Sequence, residues 1–437
     1  MTEYKKNLLS KISDKNLKIC IVGLGYVGLP LVFSFASAGF KVIGLDNDKK
    51  KINSLKNNKS YINQFKDNKI KELNKTGFSC SAKFKIISTA DVIIYCIPTP
   101  LNVHKEPDMK YIESSLNQSI PFLKKGQAVS LESTTYPGTT EEYFVKMAKG
   151  KGYNIGKDFF VIYSPEREDP GNNKYSVSNI PKVVSGHTKN CLKIANNLYE
   201  SLGIKTVSLS SLKAAETTKL LENIYRSINI GMINELKILL DKMDIDIYEV
   251  INAAKTKPFG FKAFYPGPGL GGHCIPIDPF LLTWKAKEYD FNTRFIELSG
   301  QINDRMPEYV CDKVVSLLNN NNINISKSKI LILGVAYKKN VDDIRESPAL
   351  KIIDILKNKK AKVSYSDPLI NKINKTRKYD FNMKSVKINK LNLKKFDLTL
   401  IVTDHDLFDY KIIKENSKFI VDCRGRINEK KSNIIQA

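Results

Sequence analysis

Lys18-Ile-Cys-Ile-Val22, then Gly23-Leu-Gly-Tyr-Val-Gly28, then Lys41-Val-Ile-Gly-Leu-Asp46 is the stretch that decides the fold of this chain. The first run is a short apolar strand, and the glycines follow it without a gap. Residues 29–39 read as a helix of small residues, and the last run as a second strand ending in an acid. A strand, a glycine turn, a helix and a strand with a terminal carboxylate form the context in which G-x-G-x-x-G binds a dinucleotide. Gly23 permits the tight turn, Gly25 the close approach of a pyrophosphate, and Gly28 the packing of the helix whose N-terminus attracts the anion. Asp46 is placed to accept from an adenosine ribose 2′-hydroxyl and to repel a 2′-phosphate, which favours NAD over NADP.

Other apolar runs repeat the pattern. Residues 90–97 read as a buried strand ending at Pro98-Thr99-Pro100, and 127–132 as one ending at Ser133-Thr134. Residues 159–163 end at Ser164-Pro-Glu166, the start of a charged loop that runs to Gly171 and by itself reads equally well as a solvated turn. Polar residues past strand carboxyl ends are where open parallel sheets bind ligands.

From Ser211 to about Leu240 the period changes. Ala214, Thr218, Leu221, Tyr225, Ile228 and Met232 recur at steps of four and three, which predicts a long helix. Helix continues to about Ala254 and again, after a loop, to about Leu318. Asn319 to Lys327 is a polar linker, and Lys329-Ile-Leu-Ile-Leu-Gly334 opens a second α/β unit with strands at 361–365 and 398–402 and a helix at 349–356. Asp342-Asp343-Ile-Arg-Glu-Ser347 is expected to start a helix with an acidic first turn. The expected fold is α/β, two Rossmann-like domains joined by a long central helix, with parts at 1–210, 211–318 and 319–437.

The loop inside the helical part is Tyr265-Pro-Gly-Pro-Gly-Leu-Gly-Gly-His-Cys274-Ile-Pro-Ile-Asp278-Pro279. Proline and glycine exclude a regular helix or a central strand here. The run presents the Cys274 thiol with the Asp278 carboxylate close behind it. Lys219 and Asn223 share one face of the long helix, where a buried ammonium and an amide donor stabilise developing negative charge. Taken alone, the lysine reads as an ordinary solvated one.

The chain has 437 residues and a net charge of +25. Lysine and asparagine are spread along its whole length, and no basic run is interleaved with stacking aromatics, which argues against nucleic acid as the partner. A non-catalytic basic nucleotide- or RNA-binding protein is the alternative from another class. Seven cysteines form neither a Cys-x-x-Cys pair nor a zinc spacing, so no metal is expected. No apolar run approaches the roughly 18 residues of a membrane span. Met1 to Lys18 has no apolar signal core, so a cytoplasmic location is expected.

In this order the motifs resemble the UDP-glucose/GDP-mannose dehydrogenase family from Lys18 to about Arg426. The resemblance rests on the glycine loop, Ser133-Thr134, Lys219 with Asn223, Gly271-Gly-His-Cys274 to Asp278, Gly334-Val-Ala-Tyr-Lys338, and 342–347. It implies a four-electron oxidation of a UDP-sugar primary alcohol to a carboxylate with two NAD. Cys274 is the implied nucleophile of a thiohemiacetal and then a thioester. Lys219, Asn223 and a water on Asp278 stabilise oxyanions and move protons, Glu166 is the base for hydrolysis, and Thr134 helps hold water. The implied cofactor site comprises Gly23, Gly25, Tyr26, Val27, Gly28, Asp46, Lys51, Thr99, Thr134 and Arg345. The substrate is assigned to Arg167, Lys219, Asn223, Gly271, Lys338 and Arg424. A homodimer or higher homo-oligomer is implied as well.

Three features depart from the UDP-glucose pattern. Pro170 stands where a second glutamate is usual, Ile277 where lysine is common, and Pro258-Phe259 near a usual arginine-isoleucine pair. The run Glu166-Arg-Glu-Asp-Pro-Gly171 and His273-Cys-Ile-Pro-Ile-Asp-Pro279 resemble the branch acting on UDP-N-acetylhexosamines. UDP-N-acetylglucosamine is the expected substrate, with UDP-N-acetylmannosamine and UDP-glucose as alternatives.

Overall fold

Strands that are buried on both faces must be apolar throughout, and this requirement organises the first half of the computed structural model. The structure describes residues 2–62, 65–102, 104–167, 179–272, 274–376, 378–427, 429 and 431–437. The first sheet contains β1 (Lys18–Val22), β2 (Lys41–Leu45), β3 (Ser79–Ser81), β4 (Val92–Tyr95), β5 (Ala128–Leu131), β6 (Phe160–Tyr163), β7 (Lys182–Gly186) and β8 (Thr206–Ser208). Its order is β3-β2-β1-β4-β5-β6-β7-β8. The first six strands run parallel in the doubly wound order, which reverses direction of travel between β1 and β4. β7 pairs antiparallel with β6, and β8 parallel with β7, so the last two strands run the other way.

The second sheet contains β9 (Lys329–Leu333) and β10 (Lys362–Ser366), and after a small ribbon of β11 (Lys372–Ile373) and β12 (Met383–Lys384), β13 (Leu398–Ile401), β14 (Ile420–Asp422) and β15 (Ile434–Gln436). Its order is β10-β9-β13-β14-β15, all parallel. The expected α/β class, with a long helix following the first sheet and preceding the second in chain order, is what the chain adopts. That helix spans Leu212–Lys242. Among the described residues no helix is long and apolar enough to cross a membrane.

The chain divides into two compact units, Met1–Glu222 with Trp284–Asp290, and Asn223–Thr283 with Phe291–Ala437. The helix Arg294–Asn320 buries Val310, Cys311, Val314, Leu317 and Leu318 in one core with Ile330, Ile332 and Leu398 of the second sheet. The polar linker after it therefore turns the chain without parting two cores.

Two local readings are corrected. The residues 342–347 do not open a helix. The helix is Pro348–Asn358, capped by the Ser347 side chain accepting from the Ala349 N–H, and its first turn holds no acid. Proline is suited to the first helical position and forces the residue before it out of helical geometry, so Asp342 and Asp343 stay in the preceding loop. A helix at Glu3–Ser13, for which no element was expected, buries Leu8 and Ile12. Its lysine-rich surface masks that narrow apolar stripe.

Candidate active site

The glycine loop closes as its spacing demands. Gly23 has φ +94°, and a Cβ there would lie 2.3 Å from the Cys96 carbonyl oxygen. A Cβ on Gly28 would lie 1.8 Å from the Gly23 carbonyl oxygen, so the turn and the helix Gly28–Ser37 can meet only without side chains. Gly25 faces open space. Tyr26 and Val27 lie between them, with Val27 at the helix cap. At the end of β2 Asp46 accepts from the N–H groups of Leu24 and Asp48, each at 2.9 Å, and from Lys51 Nζ at 2.9 Å. A carboxylate accepts about four bonds, so acceptor capacity remains for a hydroxyl. The open position at Gly25 and the spare acceptor on Asp46 fit a dinucleotide.

Thr99 and Thr134 meet across the ends of β4 and β5, where the Thr99 hydroxyl donates to the Thr134 carbonyl oxygen. Ser133 Oγ accepts from the Ile97 N–H at 2.9 Å, tying the same two strand ends. Beyond β6, Glu166 accepts from the Arg167 N–H at 2.6 Å and from Lys182 Nζ at 3.2 Å. Arg167 forms an ion pair with Glu222 at 2.6 Å and donates to the Pro181 carbonyl. Residues 168–171 of the charged loop, with Pro170, lie outside the described residues, as does His273.

On the central helix Lys219 is 8% exposed and Asn223 is 3% exposed. Among the described residues Lys219 forms no ion pair. Asn223 Nδ2 donates to Asp278 Oδ2 at 2.6 Å, and Asp278 is itself buried. Two of the expected catalytic residues, Asn223 and Asp278, are thus one hydrogen-bonded pair. Cys274 is exposed, and its carbonyl accepts from the N–H groups of Ile277 and Asp278. That turn leads directly into the helix Asp278–Ala286.

The described residues of the cysteine loop are clamped at several points. A Cβ on Gly267 would lie 2.7 Å from Arg424 Nη1, and one on Gly271 would lie 2.7 Å from Tyr337 Cβ. Gly272 donates its N–H to the Arg345 carbonyl at 3.0 Å. Arg424 is oriented by donating Nε–H to the Val402 carbonyl at 2.8 Å. Of the expected substrate-binding residues, Gly271 lies against Tyr337, which Lys338 follows in sequence, and Arg424 lies against Gly267 of the same loop. The Arg345 guanidinium is held by both oxygens of Asp343.

Residues 17–203 match the NAD binding domain of the UDP-glucose/GDP-mannose dehydrogenase family, 213–305 its central domain, and 331–429 its UDP binding domain. The chain belongs to this family. It is an NAD-dependent nucleotide-sugar dehydrogenase. A UDP-N-acetyl-D-glucosamine 6-dehydrogenase of Pseudomonas aeruginosa is 36% identical over 358 residues, 82% of this chain and 84% of the relative. A UDP-N-acetyl-D-mannosamine dehydrogenase of Methanococcus vannielii is 32% identical over 429 residues, 95% of this chain and 94% of the relative. The solved structure of a UDP-D-ManNAc dehydrogenase from Pyrococcus horikoshii superposes with a TM-score of 0.85 at 30% identity, covering 96% of this chain and 98% of that one.

Several residues that shape the dehydrogenase were not found from sequence. Glu132 and Lys182 form a buried ion pair at 2.6 Å beside Glu166. An acid closing the apolar run 127–132 was the available signal, since a buried charge requires a partner. Glu216, one turn before Lys219 on the helix, accepts from the Gly138 N–H at 2.6 Å and from the Thr140 N–H and hydroxyl at 2.8 and 2.7 Å. Asn234 and Asn303 are buried and bonded to each other at 2.8 Å, and Asn234 accepts from the Gly267 N–H, which anchors the cysteine loop to the central helix.

Proposed function

We propose that this dehydrogenase oxidises the 6-hydroxyl of UDP-N-acetylglucosamine to the uronic acid in two oxidations and one hydrolysis. The reading is carried by the environment of Cys274, an exposed thiol on a clamped loop at a helix N-terminus, with the buried Asn223–Asp278 pair close in sequence and fold. The choice of sugar is supported by the Pseudomonas relative and by the run His273-Cys-Ile-Pro-Ile-Asp-Pro279. The division of labour follows the sequence: 1–210 for NAD, 211–318 for the cysteine loop and self-association, and 319–437 for the nucleotide sugar.

The roles follow from charge and donor type. NAD, when bound, accepts hydride; Gly23, Gly25, Tyr26, Val27, Gly28, Asp46, Lys51, Thr99 and Arg345 would hold it. Lys219 is buried, and a lysine ammonium so placed stabilises an alkoxide far more than an exposed one does. Asn223 orients Asp278, which holds a water. Cys274 adds to the aldehyde because a planar aldehyde has no hydride to give until a nucleophile makes its carbon tetrahedral. Loss of hydride from that thiohemiacetal leaves a thioester, and Glu166 accepts a proton from the water that hydrolyses it, with Thr134 beside that water. Arg167, Gly271, Lys338 and Arg424 bind the substrate, cations and backbone donors being what a diphosphate requires.

UDP-N-acetylmannosamine is the second reading, supported by the Methanococcus relative and the Pyrococcus structure. Initial rates of NADH formation with UDP-N-acetylglucosamine, UDP-N-acetylmannosamine and UDP-glucose decide between them. The highest kcat/KM with the first is expected, and preference for either of the others overturns the choice of sugar. A homodimer is also proposed, since Tyr225, Met232, Leu236, Leu239 and Met243 expose an apolar stripe along the central helix. A monomeric mass in solution refutes it.

A further inference from the structure

The reversal of the sheet after β6 has a chemical consequence. Because β7 runs antiparallel to β6, its first residue comes to the carboxyl end of the sheet. The register pairs Tyr163 with Ser185, and continuing it sets Lys182 across from Glu166. Lys182 is 5% exposed and binds two carboxylates, Glu132 Oε2 at 2.6 Å and Glu166 Oε2 at 3.2 Å. The other oxygen of Glu132 accepts from the Tyr199 hydroxyl, so the acid that anchors the lysine cannot swing away. Burial of such a pair gains little stability over apolar residues of equal volume. Its position at the strand ends points to the reaction.

We propose that Lys182 is a positioning residue for the hydrolytic half of the reaction, holding Glu166 as the carboxylate that takes the proton from water, with Glu132 fixing the lysine. The proposal rests on Glu166 being the base. In that step the water oxygen bonds to the thioester carbon while one of its protons passes to Glu166. The carbon–sulfur bond breaks, sulfur keeps the electron pair as the Cys274 thiolate, and the acid product releases its proton to solvent. Without the ammonium, two neighbouring carboxylates would share one site with no counter-charge, and one would take up a proton. Burial opposes the charge of Lys182, yet the two carboxylates outweigh it and hold the ammonium well above its usual range. Among the described residues, the groups around the cluster include Tyr199 on the helix Lys189–Glu200, Cys96 past β4, and Arg167, whose guanidinium is paired with Glu222.

The test uses the whole enzyme with NAD and UDP-N-acetylglucosamine. Lys182→Met should leave the first burst of NADH in place and lower steady turnover by roughly 100-fold, the share of a general base. Quenched enzyme should carry the thioester mass on Cys274. The acidic limb of kcat should move up by at least about 1 pH unit, because a carboxylate that loses its cation ionises later. Lys182→Arg should restore turnover and the limb. Should Lys182→Met not fold, Glu132→Gln with Lys182→Met removes both buried charges together and is expected to accumulate the same adduct. Glu166→Gln separates the two ideas. Adduct there but not in the folded lysine variants overturns the role of Lys182 alone, and adduct in neither overturns the base assignment beneath it. Burst and turnover falling together, with an unmoved limb, also overturns the role of Lys182.

Discussion

Replacing Gly272 by alanine should displace the cysteine loop, and the structure gives two separable terms for the cost. Gly272 has φ +85°, a conformation that costs an L-residue roughly 1–2 kcal/mol. The added Cβ would lie 2.8 and 2.9 Å from Cε2 and Cδ2 of Tyr337, so the ring or the loop must move, at about 1–3 kcal/mol. Both terms act two residues before Cys274, on a backbone whose N–H is already committed to the Arg345 carbonyl. If the loop stays in place, the melting temperature falls by roughly 2–4 °C per kcal/mol for a unit of this size. If it yields instead, stability is partly kept and the thiol moves, for which about 1 Å costs on the order of 100-fold in rate. Melting curves and kcat should be measured for Gly272→Ala, Tyr337→Ala and the double variant. The double variant should recover the ring term and retain the backbone term. An alanine variant with unchanged melting temperature and unchanged kcat refutes the clamp, and complete recovery in the double variant refutes the backbone term.

Asp46→Ala removes the acceptor of the Leu24 N–H and leaves Lys51 unpaired; KM for NAD should rise roughly 10–100-fold, as for a lost charge-assisted bond, and NADP should be discriminated against less, while unchanged kinetics with both cofactors would place the ribose acceptor elsewhere. Cys274→Ser should bind NAD normally by titration yet form no acid, since a serine hydroxyl is not ionised near neutrality; acid formation at the parental rate would disprove the nucleophile. Burial pushes the Glu216 carboxyl up to about 7 from 4.5, against the pull of the Gly138 and Thr140 donors. A raised carboxyl stabilises the fold fully below the unfolded value and loses that contribution as pH rises through about 7, a change of about 3 kcal/mol. The melting temperatures of the parent and Glu216→Gln should therefore converge or cross between pH 5 and 8; parallel curves would show that Glu216 does not titrate there.

The parallel strands were legible because burial on both faces leaves only apolar residues, and each run stops where a polar residue takes over, as at Asp46, Thr99 and Thr134. Ser347 and Pro348 were equally readable, and the acidic run before them diverted the reading from the cap to the charges. Lys219 shows the other limit. Periodicity puts it on a helix but cannot tell a solvated lysine from one that is 8% exposed, because that depends on what packs over it. The Glu132–Lys182 pair is further still from local pattern. It spans two strands and forms only because β7 turns back against β6, which no window of sequence encodes.

The two parallel sheets begin alike and part at one carboxylate. In each, the acid after the strand that neighbours the glycine strand accepts from the N–H following the first glycine: Asp46 from Leu24, and Asp367 from Val335. Asp46 then takes Lys51 and one N–H on its other oxygen, and keeps capacity for a ligand hydroxyl. Asp367 instead accepts from Ala336, Leu369 and Ile370 as well, and from His405 Nε2 at 3.2 Å. The Asn340 N–H donates to His405 Nδ1, so the ring proton lies on Nε2 and points at the acid. Burial works against the Asp367 charge, but the His405 bond and the backbone donors hold its carboxyl below the usual range. A Cβ on Gly334 would lie 2.2 Å from the Thr403 carbonyl oxygen, as one on Gly23 would lie 2.3 Å from that of Cys96, so the two turns are alike and the acids are what differ. An acid whose lone pairs are all committed to its own chain offers nothing to an adenosine ribose. The same strand-and-glycine plan thus serves a dinucleotide in the first sheet, where the acid is left receptive, and a UDP-binding domain in the second, where the acid is consumed in building the loop that carries Tyr337 and Lys338 against the cysteine backbone.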